Sequence, residues 1–361
     1  MFEMFDFLKG MSSRKGLPPG TVKYTGETVA KKVRIRIMDF DENNFVEKEA
    51  QEVEECFAFK DTPSNTWINI DGIHDVNIIE KIGRHFDMHP LILEDILNTS
   101  QRPKYEDFDN YIFMVVKMLT YNTKKDEIAS EQISIIMGGD CVITFQETEG
   151  DVFDVIRERI RTGRGRVRKM GSDYLAYVLL DAMIDNYFLI LEKIGEKIED
   201  IEEELLVNPT PNTLRKIHHL KREMIFLRKI LWPTRDMISG LERCGSALIK
   251  DTTDIYLRDL YENVIHVIDS IEAIRDISAG MIDIYLSSLS NRLNVLMKHL
   301  NALVIAVAIP SFFAGVGGMS EFSDMVGFTN WPVAYFFFVF VMIVIGIITY
   351  FAIKHLEKYW K

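Results

Sequence analysis

Cysteine is scarce in this 361-residue chain: Cys56, Cys141 and Cys244 are few, odd in number and far apart. Such a set gives neither a disulfide framework nor a zinc cluster, and it predicts reduced thiols. A basic excess is also missing, because 54 acids against 42 Lys and Arg leave a net charge of −12. That balance excludes a general nucleic-acid binder, which must neutralise phosphates. No phosphate-binding Gly-rich loop, nucleophile elbow or paired catalytic motif is present, so an enzyme is not expected. The N-terminal MFEMFDFLKGMSSRKG carries acids inside its only apolar stretch, unlike a secretory leader.

The most informative scarcity is of charge near the C-terminus. Residues 302–353 hold only Glu321 and Asp324. The uncharged runs 302–319 and 331–353 have about the 20 residues that a bilayer crossing takes. Between them, 320–330 is acidic, whereas the tail KHLEKYWK carries Lys354, Lys358 and Lys361. The positive-inside rule then predicts a multi-pass cell-membrane protein with both termini cytoplasmic and the short acidic loop outside. Trp331 and Tyr335 at one end, and Tyr350, Tyr359 and Trp360 at the other, suit interfacial anchors in the lipid bilayer.

Upstream, 1–21 reads as a flexible segment and 22–171 as an α/β unit. Strand-like runs are VRIRIMDF, FVEKEAQEVEE, TWINI, YIFMVVKML and the pair EQISIIM and CVITF, whose Gly138-Gly139-Asp140 junction signals a hairpin. Helical patches are expected at 74–86 and 90–98. GRGRVRKMG (163–171) reads as a basic turn, and 172–250 as a helical hairpin broken at NPTPN (208–212). RERIRTGRGRVRK (157–169) and EKIEDIEEE (196–204) are expected to be solvated. His85 and His89 have helical metal spacing, but no third ligand accompanies them.

A third helix is predicted over 251–319, about 100 Å long at 1.5 Å per residue. Steps of four and three along it give Asp283, Ser287, Ser290, Asn294, Met297, Asn301, Val304, Ala308, Ser311 and Gly315. This seam is small and polar where a coiled coil carries Leu and Ile. One reading is a tolerant coiled coil, or small residues that let membrane helices approach closely. The other is that several copies face a shared axis and line a wet channel, with Met297, Leu300 and Val304 as an apolar constriction below Asn301.

HPLILEDILNTSQRPK (89–104), SEQISII (130–136), GDVFDVIRERIR (150–161), LKREMIFLRKILWPTR (220–235), YLSSLSNRLNVLMK (285–298) and Gly318-Met319-Ser320 occur in the order of the CorA family of divalent-cation channels, which the chain resembles over nearly its whole length. The resemblance implies a cytoplasmic α/β domain, a stalk helix continuing as the pore helix over 251–319, an outer loop at 320–330, a second membrane helix at 331–353 and a cytoplasmic tail at 354–361. It implies a homopentamer passing Mg²⁺, with Co²⁺ or Ni²⁺ as further cargo. The family's Gly-Met-Asn mouth is Gly-Met-Ser here, and the stretch before it is one residue shorter, which leaves a Zn²⁺-transporting ZntB-type reading open. A membrane-anchored sensor or scaffold is the reading from another class.

The same resemblance assigns roles. Gly318, Met319, Ser320, Glu321 and Asp324 would form the selectivity mouth. Asp283 and Asn294 would meet ions on the cytoplasmic side, and Met297 and Leu300 would gate. Glu94, Asp95, Asp181 and Asp259 match positions that hold regulatory Mg²⁺ between neighbouring subunits, with Asp185 a weaker candidate. Read from the residues alone, each of these acids is a solvated helix-face carboxylate.

Overall fold

The computed structural model describes residues 16, 18, 20–26, 32–123, 126–317, 324 and 331–359. Its contacts divide the chain into one unit of Met1–Glu204 with Arg215–Gly280, and another of Leu205–Leu214 with Met281–Lys361.

In the first unit, β1 (Arg34–Phe40), β2 (Phe45–Ala50), β3 (Asn65–Asp71), β4 (Lys104–Asp107), β5 (Ile112–Asn122), β6 (Glu127–Gly138) and β7 (Cys141–Gln146) form one sheet ordered β2-β1-β3-β7-β6-β5-β4. Neighbours are antiparallel except β3 and β7, which run parallel with Ile68 opposite Ile143. The continuous apolar run Ile112–Val116 of β5 is buried throughout, as expected of a strand covered on both faces. Edge strand β2 instead exposes Glu47, Lys48 and Glu49, charges that discourage pairing with another sheet. The β6–β7 hairpin forms where the Gly-Gly-Asp junction predicts it, with Gly139 at φ 57°, a conformation that favours glycine.

Two details differ from the expected pattern. Residues 53–59 form a 3₁₀ helix rather than a strand extension, because Val53 and Cys56, one 3₁₀ turn apart, are both buried and Glu52 with Glu55 caps the turn. Strand β4 was not anticipated; its four residues, Lys-Tyr-Glu-Asp, lack the apolar alternation that marks a strand.

Helices α1 (Val76–His85) and α2 (Pro90–Leu97) share a core with one face of the sheet, through Ile79, Ile82, Ile92, Ile96, Ile68, Ile70, Phe113 and Phe145. On α3 (Asp154–Thr162), Arg157 is buried and paired to Asp151, with its guanidinium 5.2 Å from the centre of the Trp67 ring. That corrects the solvated reading of the basic run. Arg161 likewise makes a two-pronged pair with Glu47 at 2.7 and 2.8 Å.

Helix α4 (Ser172–Val207) donates from Tyr187 Oη to Lys117 O and from Asn186 Nδ2 to Leu119 O, anchoring it over β5. It is tied to α5 (Pro211–Arg243) by Lys197–Glu223 at 3.1 Å and by Lys216–Glu204 at 2.7 Å. Asp173 accepts from Lys250 N at 3.0 Å and from the Thr253 hydroxyl at 2.6 Å, fixing the start of α6 (Asp251–Gly317).

Among the described residues, three helices are long and apolar enough to cross a membrane: α4, α6 and α7 (Trp331–Tyr359). In α4 the most apolar stretch is 56% buried within the protein, against 11% in α6 and none in α7. The apolar surface of α4 is therefore largely covered by its own fold. In the second unit, α6 and α7 meet through small residues. Ala302 and Ala306 are buried, and a Cβ added to Gly346 would lie 3.2 Å from Ala306 O and 3.4 Å from Pro310 Cγ. Backbones this close are the usual solution where helices pack without a hydrophobic drive from water.

Candidate ion path and metal sites

Helical geometry sorts the residues of α6 by face. At about 100° per residue, Ala302, Ala306 and Pro310 fall within about 40° of one line, the line that meets α7. On the same count, Asp283, Met297, Asn301, Val304, Ala308, Ser311 and Gly315 fall within about 40° of the opposite line, and Asn294 and Leu300 flank it at about 60°. The polar seam thus turns away from α7. Its members are exposed, including Met297 (52%), Leu300 (52%) and Val304 (57%). An apolar helix surface left open on this scale needs cover from lipid or from further copies.

Gly318, Met319, Ser320 and Glu321 of the expected mouth lie outside the described residues; Asp324 is helical and exposed.

The four carboxylates occupy two settings. Asp95, on α2, is 16% exposed; its Oδ2 lies 2.6 Å from Lys104 Nζ and its Oδ1 accepts from Gln101 Nε2. Burial raises its pKa, with the Lys104 ammonium pulling the other way. Neighbouring Glu94 accepts from Gly20 N at 2.5 Å. Asp181 on α4 and exposed Asp259 on α6 are electrostatically coupled, with Asp185 joining them. Burial, then Asp185 and Asp259, pushes the Asp181 carboxyl up to about 6. Asp181 and Asp185 are one helical turn apart, so their spacing was a usable sign of repulsion.

Hard carboxylate oxygens suit Mg²⁺. Among the described residues, however, no three His, Cys, Asp or Glu side chains gather to hold a metal. The donor chemistry fits, but one chain needs water or a second copy to complete a shell. His85 and His89 serve elsewhere: His85 stacks on Phe57 at 4.0 Å, and His89 Nδ1 accepts from Leu91 N to cap α2.

Asp181 gives a pH test. Its folded pKa of about 6 stands above the ordinary 3.8. Its contribution to stability is thus fullest below 3.8 and is lost as pH rises through 6. A divalent cation relieves that loss only once the group is ionised. The thermal stabilisation by Mg²⁺ is expected to be larger above pH 6 than below it, and Asp181→Asn is expected to flatten the difference. Equal Mg²⁺ shifts on both sides of pH 6 in the unaltered protein would count against a cation at Asp181.

Residues 64–355 match the family model of the CorA-like Mg²⁺ transporter protein. The chain is 46% identical over 312 residues, 86% of its length and 89% of the relative's, to the cobalt/magnesium transport protein CorA of Thermotoga maritima. It is 28% identical to the putative metal ion transporter YfjQ of Bacillus subtilis, covering 80% of this chain and 88% of that one. In fold it is similar to the complete structure of the CorA magnesium transporter from Methanocaldococcus jannaschii, with a TM-score of 0.70 at 20% identity over 88% of this chain and 96% of the other. With the family model spanning most of its length and a relative this similar, the chain belongs to the CorA-like Mg²⁺ transporters.

Proposed function

We propose that copies of this chain, five on the family pattern, surround the polar seam of α6 and form a cell-membrane channel for Mg²⁺, with Co²⁺ as a second cargo. The observation that carries this reading is the placement of the seam opposite the α7-packed face of α6. A helix with its partner behind it and small polar groups in front is suited to line an aqueous axis. On this reading α6 and α7 cross the bilayer, α4 does not, and both termini are cytoplasmic.

Mg²⁺ sheds water reluctantly, so a conducting path must hold the hydrated ion by its water hydrogens. The amide oxygens of Asn294 and Asn301 accept such bonds, and Asp283 adds charge on the cytoplasmic side. At the outer end, unpaired carbonyls and the negative pole of the helix dipole favour a cation, assisted by Ser320, Glu321 and Asp324. Between these polar stations, Met297, Leu300 and Val304 close the path when it dries.

The carboxylates supply feedback. Asp95 and Glu94 of one copy, facing Asp181 and Asp259 of the next, would hold Mg²⁺ and cancel their repulsion. Bound ions then favour the closed assembly, and falling cytoplasmic Mg²⁺ releases it.

The test is uptake of Mg²⁺, Co²⁺, Ni²⁺ and Zn²⁺ into liposomes holding the full-length protein, alone and with Ser320→Asn. Mg²⁺ uptake, competed by Co²⁺ and kept or raised by Ser320→Asn, is expected. Uptake of Zn²⁺ in preference to Mg²⁺ would overturn the cargo assignment, a rival that Ser320 in place of Asn specifically favours. No uptake of any ion by intact oligomers would leave a scaffold.

A further inference from the structure

The carboxylate of Asp95 is already occupied. Lys104, nine residues along on β4, places its ammonium between two acids: 2.6 Å from Asp95 Oδ2 and in direct contact with Glu106 Oε1. The second Asp95 oxygen accepts from Gln101, so each oxygen of a largely buried carboxylate has a partner within one chain. The Lys104 side chain is itself about two-thirds covered, and its ammonium lies 5.8 Å from the centre of the Phe113 ring.

We propose that Lys104 is a built-in counter-cation that competes with the regulatory divalent ion for Asp95, and that Glu106 is a further carboxylate of that site, released together with Asp95 when Lys104 swings away. The idea rests on the reading of Asp95 as a regulatory ligand. Its physical content is a charge balance: one ammonium between two carboxylates leaves a net −1, whereas a divalent ion in that place leaves zero. Water-filled coordination suits the exchange, because Mg²⁺ keeps several waters and needs only one or two carboxylates. Lys104 would then keep the site from collapsing or repelling when Mg²⁺ is low, and would set the concentration at which the ion takes over. The place β4 holds in the sheet, paired through Lys104–Val115 and Glu106–Phe113, keeps Lys104 and Glu106 on one strand two residues apart and facing the same way.

The experiment measures the Mg²⁺ concentration for half-maximal protection of the full-length oligomer from protease, with binding heat under the same conditions. Lys104→Met is expected to lower that midpoint about tenfold, the order of one lost charge-assisted hydrogen bond. Lys104→Arg, which keeps the charge, is expected to stay near the unaltered value. Glu106→Gln is expected to raise the midpoint. In an Asp95→Asn background the effect of Lys104→Met is expected to disappear. A midpoint unchanged by Lys104→Met, in a protein where Asp95→Asn does raise it, would overturn the competition while leaving Asp95 a ligand. A midpoint unchanged by Asp95→Asn itself would instead overturn the underlying regulatory reading. Lys104→Arg folding and binding normally guards against a merely structural loss in Lys104→Met.

Discussion

Leu300→Asp and Met297→Asp are each expected to leave the channel leaking at Mg²⁺ concentrations that close the unaltered protein. Both side chains sit on or beside the seam of α6 and are about half exposed in the single chain, so copies around an axis would present them to one another. A ring of such side chains excludes water, and an ion cannot follow where its hydration is lost. A carboxylate wets that ring and attracts cations. The leak is expected to rise about tenfold for each ~1.4 kcal/mol taken from the barrier. The check is Mg²⁺ current or liposome uptake at high internal Mg²⁺, on oligomers of verified size. Closure as tight as in the unaltered protein, for both variants, would put the barrier elsewhere along the path.

The second large effect is expected from Asp95→Asn combined with Asp259→Asn. Together these remove a carboxylate from each side of the proposed intersubunit site, so the Mg²⁺-dependent part of the closed state's stability goes with them. That part depends on how far free Mg²⁺ exceeds its dissociation constant. The double variant is expected to need about tenfold more Mg²⁺ to close, or not to close at all. Neutral amides also remove the repulsion that drives opening, so inhibition is expected to weaken more than basal current grows. Protease protection by Mg²⁺ should fall in parallel. Superimposable inhibition and protection curves would remove this pair from the mechanism and leave the pore intact. Because Lys104 is paired to Asp95, Asp95→Asn also frees the ammonium, and Lys104→Met in the double variant separates that contribution.

Much of the fold is legible in local pattern. The buried run of β5, the glycine-marked β6–β7 turn and the uncharged stretches of α6 and α7 each carry their signal within a few residues. The seam on α6 is legible too, because helical periodicity alone decides which residues share a line. Other features were out of reach of that kind of reading. Strand β4 has four residues and no apolar alternation; it is a strand because β5 lies beside it. The basic run at 157–169 looked solvated, yet Arg157 is buried, since a partner at Asp151 and the face of Trp67 make burial of a guanidinium tolerable. The apolar stretch of α4 resembles a membrane span in composition, and only the tertiary structure shows it 56% buried within the protein, with Tyr187 anchored to β5.

The candidate sites divide in the same way. By itself the sequence determined where the chain is apolar enough to enter a bilayer, which side its charges favour, and that one stripe of one helix is polar. Those are properties of neighbouring residues on a regular helix. The tertiary structure decided that the stripe faces away from α7, through the close approach of Gly346 to Ala306 and Pro310. It also decided that Asp95 is held by Lys104, and that burial, with Asp259 adding to the repulsion from Asp185, raises the Asp181 carboxyl to about 6. Contacts between α6 and α7 and between α4 and α6 join residues distant in the chain, and the α2–β4 contact forms only because the chain turns back between them. Electrostatic energy depends on separation in space and on burial, neither of which a linear pattern contains.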